Sequence, residues 1–119
     1  MKKTLVLGAS ENKNRYSNMA IKQLRLKGHP VVAIGKKSGQ VEDVFIVTQS
    51  EKNESIHTVT LYLNPKNQEV YYDYLLQLKP ERLIFNPGTE NDTLKKLAEE
   101  QGIKTLEACT LVLLSTDQY

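Results

Sequence analysis

The residues best equipped for chemistry stand near the start of the chain. Gly8-Ala9-Ser10 closes an apolar run and leads into Lys13, Asn14, Arg15, Tyr16 and Ser17. A residue without a side chain lets the backbone turn tightly and approach a phosphate, while the free amides and positive dipole end of a following helix favour an anion. Ser10 adds a hydroxyl donor, and the Arg15 guanidinium can fork two phosphate oxygens. The full G-x-G-x-x-G pattern is absent, because Ser10 and Lys13 occupy its second and third glycine positions. A tight turn bearing solvated charges is the alternative reading of the same residues.

A second apolar run ends Ile34-Gly35-Lys36-Lys37. A site for plain NAD carries an acidic residue there, whose carboxylate accepts from the ribose hydroxyls. Lys36 and Lys37 instead favour a phosphorylated ribose, either the 3′-phosphate of coenzyme A or the 2′-phosphate of NADP. Further along, Asn64-Pro65 and Asn86-Pro87-Gly88 follow two more apolar runs; Pro87 stiffens the turn and Gly88 frees it. Thr89 is the expected cap of the helix that follows, with Glu90 in its first turn.

Catalytic candidates are few. Nothing places His29 or His57 beside a nucleophile or a carboxylate pair, and both read as structural or solvated. Cys109, the single cysteine, lies near the same edge as the loops above; it reads as a small buried thiol, with a reactive role as the alternative. No cluster has metal-ligand spacing. No catalytic residue and no metal site are therefore assigned.

The elements that must position these residues follow from the pattern of apolar runs. Strands are expected over 3–8, 31–34, 56–63, 82–86 and 103–106, the first as a run buried on both faces. Helices are expected over 17–27, with Met19, Ala20, Leu24 and Leu26 inward and Gly28 as the stop, then over 70–78, and over 89–101 with Gly102 as the cap. The tail from Cys109 to Tyr119 suits either a short helix or a sheet-edge strand. Residues 36–55 read as mostly irregular, with Val44-Phe45-Ile46-Val47 as a short extended piece. The alternation predicts one α/β domain spanning 1–119: a Rossmann-like, open, mainly parallel five-stranded sheet with helices on both faces. Ligands of such sheets sit outside the carboxyl ends of the strands.

Composition narrows the function classes. Sixteen basic and fourteen acidic residues give a net charge of +2, which does not mark a nucleic-acid binder. No apolar run exceeds four residues, against the ~20 needed to span a bilayer. One cysteine and no export leader suit the cytoplasm. A small open sheet with an apolar tail also suits a homodimer.

In order and spacing, Val6-Leu7-Gly8-Ala9-Ser10, Asn14-Arg15-Tyr16-Ser17, the turn at Gly88 and Cys109 resemble the small stand-alone CoA-binding domain proteins. These are similar to the nucleotide-binding domain of the succinyl-CoA synthetase α subunit. The resemblance extends along nearly the whole chain and implies a domain that holds CoA across the strand ends without catalytic machinery of its own. It matches Gly8, Ala9 and Ser10 to the phosphate-side loop and Arg15 and Ser17 to the Arg-x-Ser element that follows, with Lys36 in the region after strand two, Gly88 at the glycine of the fourth-strand turn and Cys109 at a cysteine near the last strand. Family members usually carry an arginine after the third strand and an Asn-Arg pair before the cysteine; this chain has Leu63-Asn64 and Glu107-Ala108. Three functions follow: a non-catalytic module for CoA or acyl-CoA as carrier, sensor or regulator, an NADP-binding oxidoreductase or fragment of one, and an interaction protein with a degenerate nucleotide site.

Overall fold

All five strands expected from the apolar runs are present, and two more lie between the second and third of them. The computed structural model describes residues 1–53 and 55–119. In chain order the elements are β1 (Thr4–Ala9), α1 (Tyr16–Leu26), β2 (Val31–Gly35), β3 (Gly39–Val41), β4 (Val44–Val47), β5 (Thr58–Leu61), α2 (Pro65–Gln68), a 3₁₀ turn (Glu69–Tyr71), α3 (Tyr72–Leu78), β6 (Arg82–Phe85), α4 (Asp92–Glu100), β7 (Lys104–Glu107) and α5 (Thr110–Ser115). The sheet runs β3-β4-β2-β1-β5-β6-β7. Every pairing is parallel except that of β3 with β4.

The sheet thus has seven strands rather than five. The additional pair is a hairpin within residues 36–55, of which only the extended piece Val44–Val47 was legible. Its partner β3 is three residues long and begins Gly39-Gln40, both weak strand formers without a cross-strand neighbour. Pairing supplies that neighbour: Gly39 faces Ile46, Gln40 faces Phe45 and Val41 faces Val44 across a turn in which Glu42 takes φ 53°.

Alternation along the central strands divides the core in two. Leu5 and Leu7 face a layer with Val59, Leu61, Leu75, Phe85 and Leu94. Val6 faces the opposite layer with Ile21, Leu24, Ala33, Ile46 and Leu114. Burying a large aliphatic side chain contributes about 1.5–3 kcal/mol, so both layers hold the sheet. Leu114 belongs to α5, so the tail is a helix; among its apolar residues Leu111 and Leu113 are half-buried and Val112 is exposed.

Several helix details differ from expectation. α1 buries Ser17, Asn18, Ala20, Ile21 and Leu24, while Met19 and Leu26 point outward. Val70 is exposed, because a 3₁₀ turn there rotates the helical phase. α4 starts at Asp92, not Thr89: Asn91 Oδ1 accepts from Leu94 N at 3.1 Å and provides the cap. Thr89 is buried and donates to Asn86 O at 2.7 Å, and the Glu90 carboxylate accepts from Gly88 N at 2.8 Å.

Candidate functional site

The carboxyl end of β1 lies close to its neighbours on both sides, to β2 at Gly35 and to the residues after β5 at Gly8, because these two positions lack a Cβ. Gly8 takes φ +99°, and a Cβ there would lie 3.1 Å from the Tyr62 carbonyl carbon. The β1–β2 register slips between Leu7 and Ala9, so the strand bulges where it leaves the sheet. At Gly35 a Cβ would stand 2.3 Å from Ala9 O. Gly35 therefore serves close strand packing as well as ending β2.

Beyond the bulge the loop is held by its own polar groups. Ser10 Oγ accepts from Asn12 N, Asn12 Oδ1 accepts from Asn14 N, and Asn12 O accepts from Arg15 N, each at 3.0 Å. Asn18 Nδ2 donates to Ser10 O at 2.9 Å and ties the loop to the first turn of α1. Since Ser10 Oγ is an acceptor within the loop, its hydroxyl proton remains a donor for a ligand. Asn18 is 2% exposed and its Oδ1 has no partner among the described residues. Sequence reading missed it; an asparagine one turn into a helix, where it is a weak helix former, was the available signal.

The N-terminus of α1 is open. Its N-cap is Arg15, which makes no side-chain cap bond, and no acidic residue occupies the first turn. The N–H groups of Tyr16 and Ser17 have no hydrogen-bond partner among the described residues. Arg15, Lys36 and Lys37 are exposed and form no ion pair among the described residues. Tyr16 is 69% exposed beside the opening, and Ser17 is buried beneath it. Because β1 pairs with β2 in parallel, the loop bearing Arg15 and the turn bearing Lys36 and Lys37 leave the sheet side by side at its carboxyl edge.

The β5–β6 end of the same edge is closed. Asn64 Oδ1 accepts from Asn67 N at 2.9 Å and caps α2. Asn86 is 3% exposed; its Nδ2 donates to Thr60 Oγ1 at 2.7 Å and Leu61 O at 2.9 Å, and its Oδ1 accepts from Thr110 N at 2.9 Å. Buried Gln68 donates to Leu63 O and Thr89 O, both at 2.8 Å, and accepts from Asn91 Nδ2 at 2.9 Å. The side chains of Asn64 and Asn86 are thus engaged in holding the fold. Pro87 and Gly88 form an exposed turn, with Gly88 at φ +89°. Tyr62 is a further residue at this edge: its hydroxyl has no partner among the described residues, and burial pushes its phenol up to about 12.

Cys109 is half-buried at the N-cap of α5. The bond from Thr110 N to Asn86 draws it back from the edge strand β7 toward β5 and β6. Both histidines lie at the opposite, amino end of the strands. His29 Nδ1 accepts from Lys2 N at 3.1 Å and its ring meets the Tyr119 ring edge-on at 5.0 Å. His57 is 3.3 Å from Glu81. Burial lowers the pKa of both, reinforced at His29 by Lys2 and opposed at His57 by Glu81. Among the described residues no group of His, Cys, Asp or Glu side chains could hold a metal ion, and no helix is long and apolar enough to cross a membrane.

The model of the CoA binding domain family matches residues 2–115. The chain belongs to the CoA binding domain family. A solved structure described only as an uncharacterized protein shares 46% identity, with a TM-score of 0.97, covering 100% of this chain and 98% of the other. A hypothetical protein from Pyrococcus horikoshii OT3 (24% identity, TM-score 0.86, 97% and 82% covered) and cell-free ID.343 from Thermus thermophilus (19%, 0.87, 99% and 90%) share the fold. A search of curated proteins finds none that matches. Family membership agrees with the resemblance carried by Gly8-Ala9-Ser10 and Arg15-Tyr16-Ser17.

Proposed function

We propose that residues 1–119 act as one non-catalytic domain that binds coenzyme A or an acyl-CoA, as a carrier, sensor or regulatory module. The observation that carries this reading is the open N-terminus of α1. It leaves two N–H donors near the Ser10 hydroxyl and Arg15 in one loop, while α2 and α4 on the same edge are capped by Asn64 and Asn91. This donor set fits a diphosphate, which needs several convergent N–H groups and a cation. Lys36 and Lys37 then meet the 3′-phosphate of the ribose. Neither histidine lies at this edge, so the residues that would hold the ligand supply binding and orientation.

The test is a thermal-shift panel of CoA, dephospho-CoA, acetyl-CoA, NAD and NADP. A ligand at about 100 times its dissociation constant stabilises by about 2.7 kcal/mol. CoA is expected to stabilise more than dephospho-CoA, with NAD inert. A shift with NADP alone would overturn the CoA reading in favour of an NADP site, for which the Lys36-Lys37 pair is also suited; no shift with any of them favours an interaction protein.

A further inference from the structure

One acidic side chain stands inside the phosphate-side loop. Glu11 directly follows Ser10, where a carboxylate beside a bound diphosphate is electrostatically unfavourable. It is turned away from the loop: Oε2 accepts from Gln40 N, in the edge strand β3, at 2.9 Å. The place it occupies exists because residue 39 is glycine. A Cβ on Gly39 would lie 2.3 Å from Glu11 Cδ and 2.6 Å from both Cγ and Oε1. Gly39 has no positive φ, so a side chain there would act chiefly by displacing the flexible end of Glu11.

This contact joins the loop after β1 to the strand that follows the Lys36-Lys37 turn. The loop from Ser10 to Arg15 is held inward by Asn18 and outward by Glu11. The turn Lys36-Lys37-Ser38 is held by β2 before it and by Gly39-Gln40 after it. We propose that Glu11 is a positioning residue, a latch onto Gly39 and Gln40 that sets the spacing between the diphosphate loop and the lysine turn, and thereby the preference for a ligand carrying a 3′-phosphate. The inference rests on the CoA reading above. A ligand spanning both loops depends on their spacing, whereas one that engages only the first does not.

The sign of one substitution separates the latch from a mere charge. If Glu11 acted only through its charge, Glu11→Ala would tighten binding of a polyanion. Through the latch, Glu11→Ala weakens CoA about tenfold, or about 1.4 kcal/mol, and leaves dephospho-CoA within about twofold, so their affinity ratio collapses. Glu11→Gln, which keeps an acceptor for Gln40 N, retains the ratio. Gly39→Ala expels the carboxylate from the other side and reproduces Glu11→Ala, and the double variant is no worse than either single one, because coupled sites are non-additive.

Calorimetric titration with CoA and dephospho-CoA measures the parent and the four variants, alongside hydrogen exchange at Gln40 N–H. Tighter CoA binding by Glu11→Ala, an equal loss for both ligands, or additive effects in the double variant overturns the latch. A parent that binds no CoA overturns the CoA reading instead. The latch itself then stands or falls on whether Gln40 N–H is protected in the parent and loses protection in Glu11→Ala.

Discussion

The two halves of the strand-end edge are built from similar residue types and put to opposite uses. Around β5 and β6, Asn64, Asn86, Gln68 and Asn91 face the same edge as the predicted site, yet their hydrogen bonds are made within the protein. Around β1 and β2, the helix start is uncapped and the cations lack partners among the described residues. Position at a strand end is thus shared by both halves. An uncapped helix start with unpaired cations beside it is the property of one, and a free donor is what an anion can use.

Substitution should split the halves cleanly. The largest effect is expected from Asn86→Ala, which removes the hydrogen-bond partner of buried Thr110 N and breaks the bonds to Leu61 O and to Thr60 Oγ1, the last of which keeps Thr110 Oγ1 at 2.8 Å. Loss of about 3 kcal/mol in urea unfolding follows from leaving a buried N–H unpaired and breaking two further buried hydrogen bonds. A loss under about 0.5 kcal/mol would mean that this half is not the clamp described. Lys36→Ala should do the reverse: stability within about 0.5 kcal/mol of the parent, and about a tenfold loss for CoA that erases its advantage over dephospho-CoA. An unchanged CoA preference would remove Lys36 from the site.

Next in size is Asn64→Ala, expected to cost about 1 kcal/mol through loss of the α2 cap, with CoA affinity unaltered. A fall in affinity at equal occupancy of the folded state would move Asn64 into the open half. The smallest effect concerns the amino end of the sheet. His29 and His57 titrate below their ordinary value of 6.5, so the unfolded chain binds more protons just below that pH. Their stabilisation is complete above about pH 6.5 and declines as pH falls through the lower folded values. Melting temperatures measured across that range should fall for the parent and flatten in His29→Asn, which preserves an acceptor for Lys2 N.

The amino-acid sequence by itself determined the five main strands, the parallel sheet with helices on both sides, and the glycine loop with its cations. These features are local: apolar runs, helical spacing and a glycine between them suffice to specify them. The β3–β4 hairpin was illegible except for Val44–Val47, because Gly39 and Gln40 become a strand only when Phe45 and Ile46 lie opposite. Helix phase failed at Met19 and Val70 for a related reason: which residues face inward depends on what the helix packs against. Only the tertiary structure decided which predicted site residues are spent. Asn86 and Arg15 are both polar residues at the end of a strand or loop, and nothing in their neighbours along the chain says that one meets Thr60 and Thr110 while the other meets solvent. A hydrogen bond between residues far apart in sequence exists only once the strands have been set side by side.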